Sequence, residues 1–174
     1  MGGREIIVIA LRAFLTVFAI VALAHAAAAE TKLTDFNGEW HGVGHDRESA
    51  LQFLQDTSCK TVIRADLTHM HTEMTCARKS GLSKYVRLTV VLEGDRFSGK
   101  ISQRTKQPGH EDAVINGSIV GKKTDQSANF LVTWKGATPN TTVDLKLISP
   151  TSYSMQAVAL GITVLDVTFN RQSR

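Results

Sequence analysis

His69-Met70-His71-Thr72-Glu73 sets three metal-binding side chains at alternate positions, i, i+2 and i+4. On an extended chain, residues two apart share one face roughly 7 Å from each other, so two imidazoles can converge on one ion. His41 and His45 also share the polar parity of a predicted first strand. Met70 and Met74 would suit copper, but they fall on the opposite face from the histidines, so the donor set is split. A histidine beside a turn is ordinarily solvated. No metal or other cofactor is therefore expected, and His69 and His71 are the residues that would ligate an ion if one bound.

Signatures of catalysis are lacking. The chain has no Gly-x-Ser-x-Gly elbow, no phosphate loop, no His-Glu-x-x-His and no dinucleotide fingerprint. Carboxylates such as Asp66, Glu73 and Asp112 are scattered through turns and polar strand faces. A non-catalytic protein is expected.

The two cysteines report on strand register. Apolar residues take odd positions over Cys59, Ile63, Ala65 and Leu67, and even positions over Met70, Met74 and Cys76. A hairpin centred between Leu67 and Thr68 pairs Cys59 with Cys76, Thr61 with Met74 and Ala65 with Met70. Odd must then face even, and it does. A cross-strand disulfide is the natural reading in an exported protein. A catalytic thiol pair is the alternative, without the Cys-x-x-Cys spacing that usually goes with it.

The elements that would position these groups are strands. Apolar and polar residues alternate beyond Glu30, and turn residues recur about every ten positions. Tyr85–Glu93 and Arg96–Arg104 flank Gly94-Asp95, which suits a type II′ turn because glycine takes positive φ at its first central position. That turn pairs Leu92 with Phe97, Val90 with Gly99, Leu88 with Ile101 and Glu93 with Arg96. Further strands are predicted over Asp112–Gly121, Ala128–Trp134, Thr141–Ser149, Tyr153–Ala159 and Ile162–Asn170, with the first near Asn37–His45. Nine or ten strands with short links and no long helix make an all-β fold. The leading architecture is an antiparallel up-and-down barrel of about 8–10 strands, since closure removes exposed edges, with a β-sandwich as the alternative.

Phe36-Asn37-Gly38-Glu39-Trp40 resembles the Gly-x-Trp signature that opens the first strand of lipocalin-like (calycin) barrels, here an exported bacterial member. Those families also stack an Arg from the end of the last strand on that Trp, and Arg171 stands in the corresponding place. The resemblance implies a barrel whose connection between the first two strands lids the cavity mouth. Gly42-Val43-Gly44 resembles the glycines of small haem-binding barrels related to nitrobindin. The Tyr-Pro and C-terminal His of that pattern are absent, so haem is not expected.

Alternation alone leaves open which face is outside. An outer-membrane barrel would turn the apolar face to lipid and carry aromatic girdles. The chain has 11 aromatic side chains, nine of them beyond residue 29, and its last strand lacks a terminal aromatic. With the apolar face inward, Trp40, Met74, Leu88, Phe130, Trp134 and Met155 are the candidate cavity lining. The segment from His45 to Ser58 joins the first two strands. Asp46 could cap a short helix there, with Leu51, Phe53 and Leu54 as lid contacts over the cavity mouth; an extra strand is the other reading. The interior is either such a cavity or a filled core.

The N-terminus reads as an address. Arg4 and Arg12 precede Ala13–Ala24, a twelve-residue apolar run that as a helix spans only about 18 Å, short of a roughly 30 Å hydrocarbon core. The small residues Ala26–Ala29 follow, so residues 1–29 are expected to be a cleaved Sec-type signal peptide and 30–174 a single β-barrel domain. The 174-residue chain carries 20 basic and 16 acidic side chains. Removing residues 1–29 takes away Arg4, Arg12 and Glu5, leaving 18 and 15, a net +3 over 145 residues. Such mild charge excludes a nucleic-acid footprint. The functional expectation is a periplasmic or secreted monomeric barrel that binds an apolar small molecule or lipid. The alternatives are an envelope-associated structural protein with a protein partner and a filled core, and, less favoured, a small outer-membrane barrel or a metal-binding protein.

Overall fold

The computed structural model describes residues 32–48, 52–125, 127–136 and 138–172. The expected signal segment lies outside the described residues, as does Leu51 of the expected lid. A 3-10 turn, Leu33–Phe36, leads into ten strands: β1 (Gly38–Asp46), β2 (Gln55–Ala65), β3 (His69–Ala77), β4 (Ser83–Glu93), β5 (Arg96–Lys106), β6 (Ala113–Lys123), β7 (Ser127–Trp134), β8 (Thr141–Ser149), β9 (Ser152–Ala159) and β10 (Ile162–Arg171). Each strand pairs antiparallel with the next, and β1 pairs with β10 from Trp40 opposite Arg171 to Asp46 opposite Leu165. That last ladder closes the barrel. It also removes the sandwich alternative, in which β1 and β10 would lie in separate sheets with unpaired edges.

The expected registers are present. Leu92 faces Phe97, Leu88 faces Ile101 and Glu93 faces Arg96 across the turn at Gly94, whose φ of +63° glycine adopts without steric cost. Gly99 faces inward, and a Cβ there would come within 2.2 Å of the Thr89 carbonyl oxygen. Glycine at this point lets β4 and β5 coil tightly enough to bend round the barrel.

Cys59 opposes Cys76 as the parity requires, and the two form a buried disulfide. It closes a loop of 17 residues' separation, so the chain-entropy model assigns it about 3 kcal/mol. The double replacement Cys59→Ser and Cys76→Ser is expected to lose about that much in urea unfolding. Wild-type protein in strong reductant should show the same midpoint; an unchanged midpoint in both would mean that the bridge contributes nothing.

Inward positions carry the core: Trp40, Ile63, Met74, Val90, Phe97, Ile119, Phe130, Val132, Leu145, Met155, Val167 and Phe169 are all buried. Outward positions at mid-strand carry the exposed cations Lys60, Arg64, Arg87 and Lys100. A membrane-spanning barrel needs the reverse, an apolar band facing out, so the outer-membrane alternative does not fit. No helix among the described residues is long and apolar enough to cross a membrane.

The barrel is stoppered at one end. Leu33 and Phe36 of the 3-10 turn are buried there, and the Trp40 indole donates to the Phe36 carbonyl at 2.8 Å. Tyr153 stands edge-on to Trp40 at 4.9 Å between centroids and stacks on Phe169 at 4.6 Å. Arg171 lies over the Trp40 ring, its guanidinium carbon 4.3 Å from the centroid. It also donates to the carbonyls of Asn37 at 2.7 Å and Asp35 at 2.6 Å. Arg171 thus clamps the stopper onto the last strand.

Candidate functional site

Above the stopper the interior opens into a cavity of about 470 Å³. Nine of the ten strands, β2 to β10, contribute to its wall, chiefly with apolar side chains. Met74, Leu88, Phe130, Trp134 and Met155 line it. Trp40 does not: it is fully buried in the stopper below. A larger hollow, about 960 Å³, lies outside around Val120, Leu131, Thr142 and Val158, but it is a shallow depression open to solvent.

Polar groups in the apolar wall are few. Thr61, inward on β2, sets its hydroxyl beside the Tyr153 phenol, and Thr72, inward on β3, keeps a buried hydroxyl without a hydrogen-bond partner among the described residues. Thr141 accepts from the Trp134 indole at 3.0 Å. Burial pushes the Tyr153 phenol well above its ordinary pKa, and the neighbouring Thr61 hydroxyl offsets only a little of that, so the ring stays neutral. Buried polar groups normally find partners, and the unpaired hydroxyl of Thr72 is a donor and acceptor open to a guest.

The expected lid is placed differently. Phe53 is 90% exposed and Leu54 39%, and neither reaches the cavity wall. Arg47 donates to the Gln52 carbonyl at 3.1 Å, and Gln52 and Glu48 bond each other at 3.4 Å. Asp46 is no helix cap either. It is the last residue of β1, only 1% exposed, and its carboxylate accepts from Arg78 Nε at 2.5 Å and Lys84 Nζ at 2.8 Å. Lys84 also donates to the Arg47 carbonyl at 3.0 Å, and Arg78 to the Gln55 side chain at 3.4 Å. Burial works against the Asp46 charge, but the hydrogen bonds and charges of Arg78 and Lys84 outweigh it, and the carboxyl sits below its ordinary range.

Sequence reasoning missed this rim. The signal was available in strand parity. Asp46 is in phase with Trp40 and Gly44, Arg78 with Met74 and Cys76, and Lys84 with Val86 and Leu88, so each inward row continues into a charged residue at the same end of the barrel.

The histidines stand elsewhere, on the outer face. His69 contacts Thr68 and Asp66, while His71 contacts Thr89 at 3.1 Å and lies 3.6 Å from Glu73. Among the described residues, no group of three His, Cys, Asp or Glu side chains is close enough to hold a metal ion. No family model and no curated protein matches the chain.

Proposed function

We propose that the chain is an exported, calycin-like carrier that takes an apolar small molecule or lipid into the barrel and performs no chemistry on it. The observation that carries this reading is the cavity itself. Its volume, about 470 Å³, falls within the roughly 300–1,000 Å³ of small-molecule sites, and an apolar wall with few polar groups is what such sites have. The buried disulfide supports an oxidising compartment, in keeping with the signal segment read at residues 1–29. The Trp40–Arg171 stack and the closed ten-strand topology support the calycin likeness.

A second reading, an envelope interaction protein, is favoured by the outward cations on one side of the barrel: Lys60 and Arg64 on β2 and, across β3, Arg87 on β4 with Lys100 and Arg104 on β5. Filling the cavity separates the two. Leu88→Trp projects extra volume into the cavity and is expected to cost about 1–3 kcal/mol of stability through overpacking. Binding of an apolar fluorophore, followed by its emission, should weaken at least about tenfold while the far-ultraviolet circular dichroism stays that of the barrel. Undiminished binding by Leu88→Trp would place the fluorophore outside the cavity and leave the interaction reading.

A further inference from the structure

The open end of the cavity carries a charge surplus with unused donors. Three cations meet there: Arg47 and Lys84, which line the mouth, and Arg78 behind them. Asp46 is shared between Arg78 and Lys84, and Glu48, exposed at the lip, bonds Gln52. Three positive charges therefore face two negative ones, a surplus of one. Arg78 Nη2 and Arg47 Nε are both buried and have no hydrogen-bond partner among the described residues, and the Arg78 side chain is only 4% exposed. A buried guanidinium N–H without an acceptor is costly, and an anionic oxygen is the acceptor that suits it. The apolar wall begins immediately below, at Val86 and Leu88 on the same inward row as Lys84.

We infer that the guest is an anionic amphiphile, with its hydrocarbon chain in the cavity and a carboxylate or phosphate monoester head held at the mouth by Arg47 and Lys84. This rests on the carrier reading above and specifies its ligand class. A carboxylate head, with one negative charge, matches the surplus of one, a phosphate monoester at about −1.5 to −2 exceeds it, and the oxygens of either are acceptors for Arg47 and Lys84. Glu48 opposes the head, but it is exposed to water, where its repulsion is screened.

Dodecanoate, dodecyl phosphate and dodecanol share one chain and differ in the head, so their displacement of a bound apolar fluorophore tests the rim alone. At neutral pH at least one of the two anions should bind about tenfold or more tightly than dodecanol, and which one does identifies the head. In Arg47→Gln that preference should collapse towards parity while dodecanol binds as before. Arg47→Lys, which keeps the charge, should retain most of it. Parity among the three in wild-type protein, or a preference that survives Arg47→Gln unchanged, would overturn the inference while leaving the carrier reading intact. If none of the three displaces the fluorophore, both readings fall.

Discussion

Asp46→Ala should lower the folding stability by about 3–5 kcal/mol, the range for removing one partner of a buried ion pair. The carboxylate is almost wholly shielded from water and accepts from both Arg78 and Lys84. Without it, two cations remain in place at the inner rim, Arg78 with 4% and Lys84 with 17% of its side chain exposed. Among the described residues neither forms another ion pair, and their mutual repulsion adds to the desolvation that Asp46 had offset. The fault lies in the unpaired charge and not in lost volume. Asp46→Leu combined with Arg78→Met and Lys84→Met should accordingly recover most of the loss, since an apolar substitute for a buried ion network is often neutral. Urea midpoints of the two variants against wild type make the check. A single-variant loss below about 1 kcal/mol would show that the rim is solvated in solution.

The same pair gives a pH dependence of definite sign. The folded-state pKa of Asp46 lies below its ordinary value of 3.8, so the unfolded chain takes up the proton first. Its contribution is present above pH 3.8 and is lost as the pH falls through the lower folded value. Asp66 adds an effect of the same sign, since the backbone amides of Thr68 and His69 hold its pKa down. In Asp46→Asn the acid-side fall in thermal midpoint should be shallower than in wild type, and the Asp66 part should persist.

The walls of the barrel were legible in the sequence because period two is a local property. Cys59 opposite Cys76 and Leu92 opposite Phe97 follow from parity plus a turn, each within twenty residues of chain. The ten-strand closure was less determined, because nothing local in β1 says that Asp46 will meet Leu165 rather than remain an edge. The mouth was misread for a physical reason. Charged residues past the last apolar one in a strand look like turn residues, and Asp46 followed by Arg47 and Glu48 looks like a helix start. Only the barrel brings Asp46, Arg78 and Lys84, from three different strands and links, onto one inner row. The lid reading of Phe53 and Leu54 rests on a short helix capped by Asp46, and hydrophobicity does not fix direction in a link without a regular period.

Trp40→Ala should cost about 3–5 kcal/mol through the cavity it leaves, and somewhat more for the stranded Phe36 carbonyl that now accepts from the indole. The indole is fully buried, touches Tyr153 edge-on and carries Arg171 over its outer face. Arg171→Ala removes that stack and also the two hydrogen bonds to Asp35 and Asn37 that hold the stopper to β10. The double variant should therefore lose less than the two single losses together. A coupling of about 0.5–2 kcal/mol is expected, the value of a partly desolvated cation–π pair. Strictly additive losses would mean that the stack carries no energy and that Arg171 acts only through the backbone carbonyls. Trp40 is also the control for the other end of the barrel. It does not line the cavity, so Trp40→Phe should lower the unfolding midpoint and leave the affinity for dodecanoate within about twofold of wild type. Arg47→Gln should do the opposite, sparing the midpoint and lowering that affinity. Stability would then be concentrated at the stopper and recognition at the mouth, with the cavity between them long enough for each end to be altered without the other.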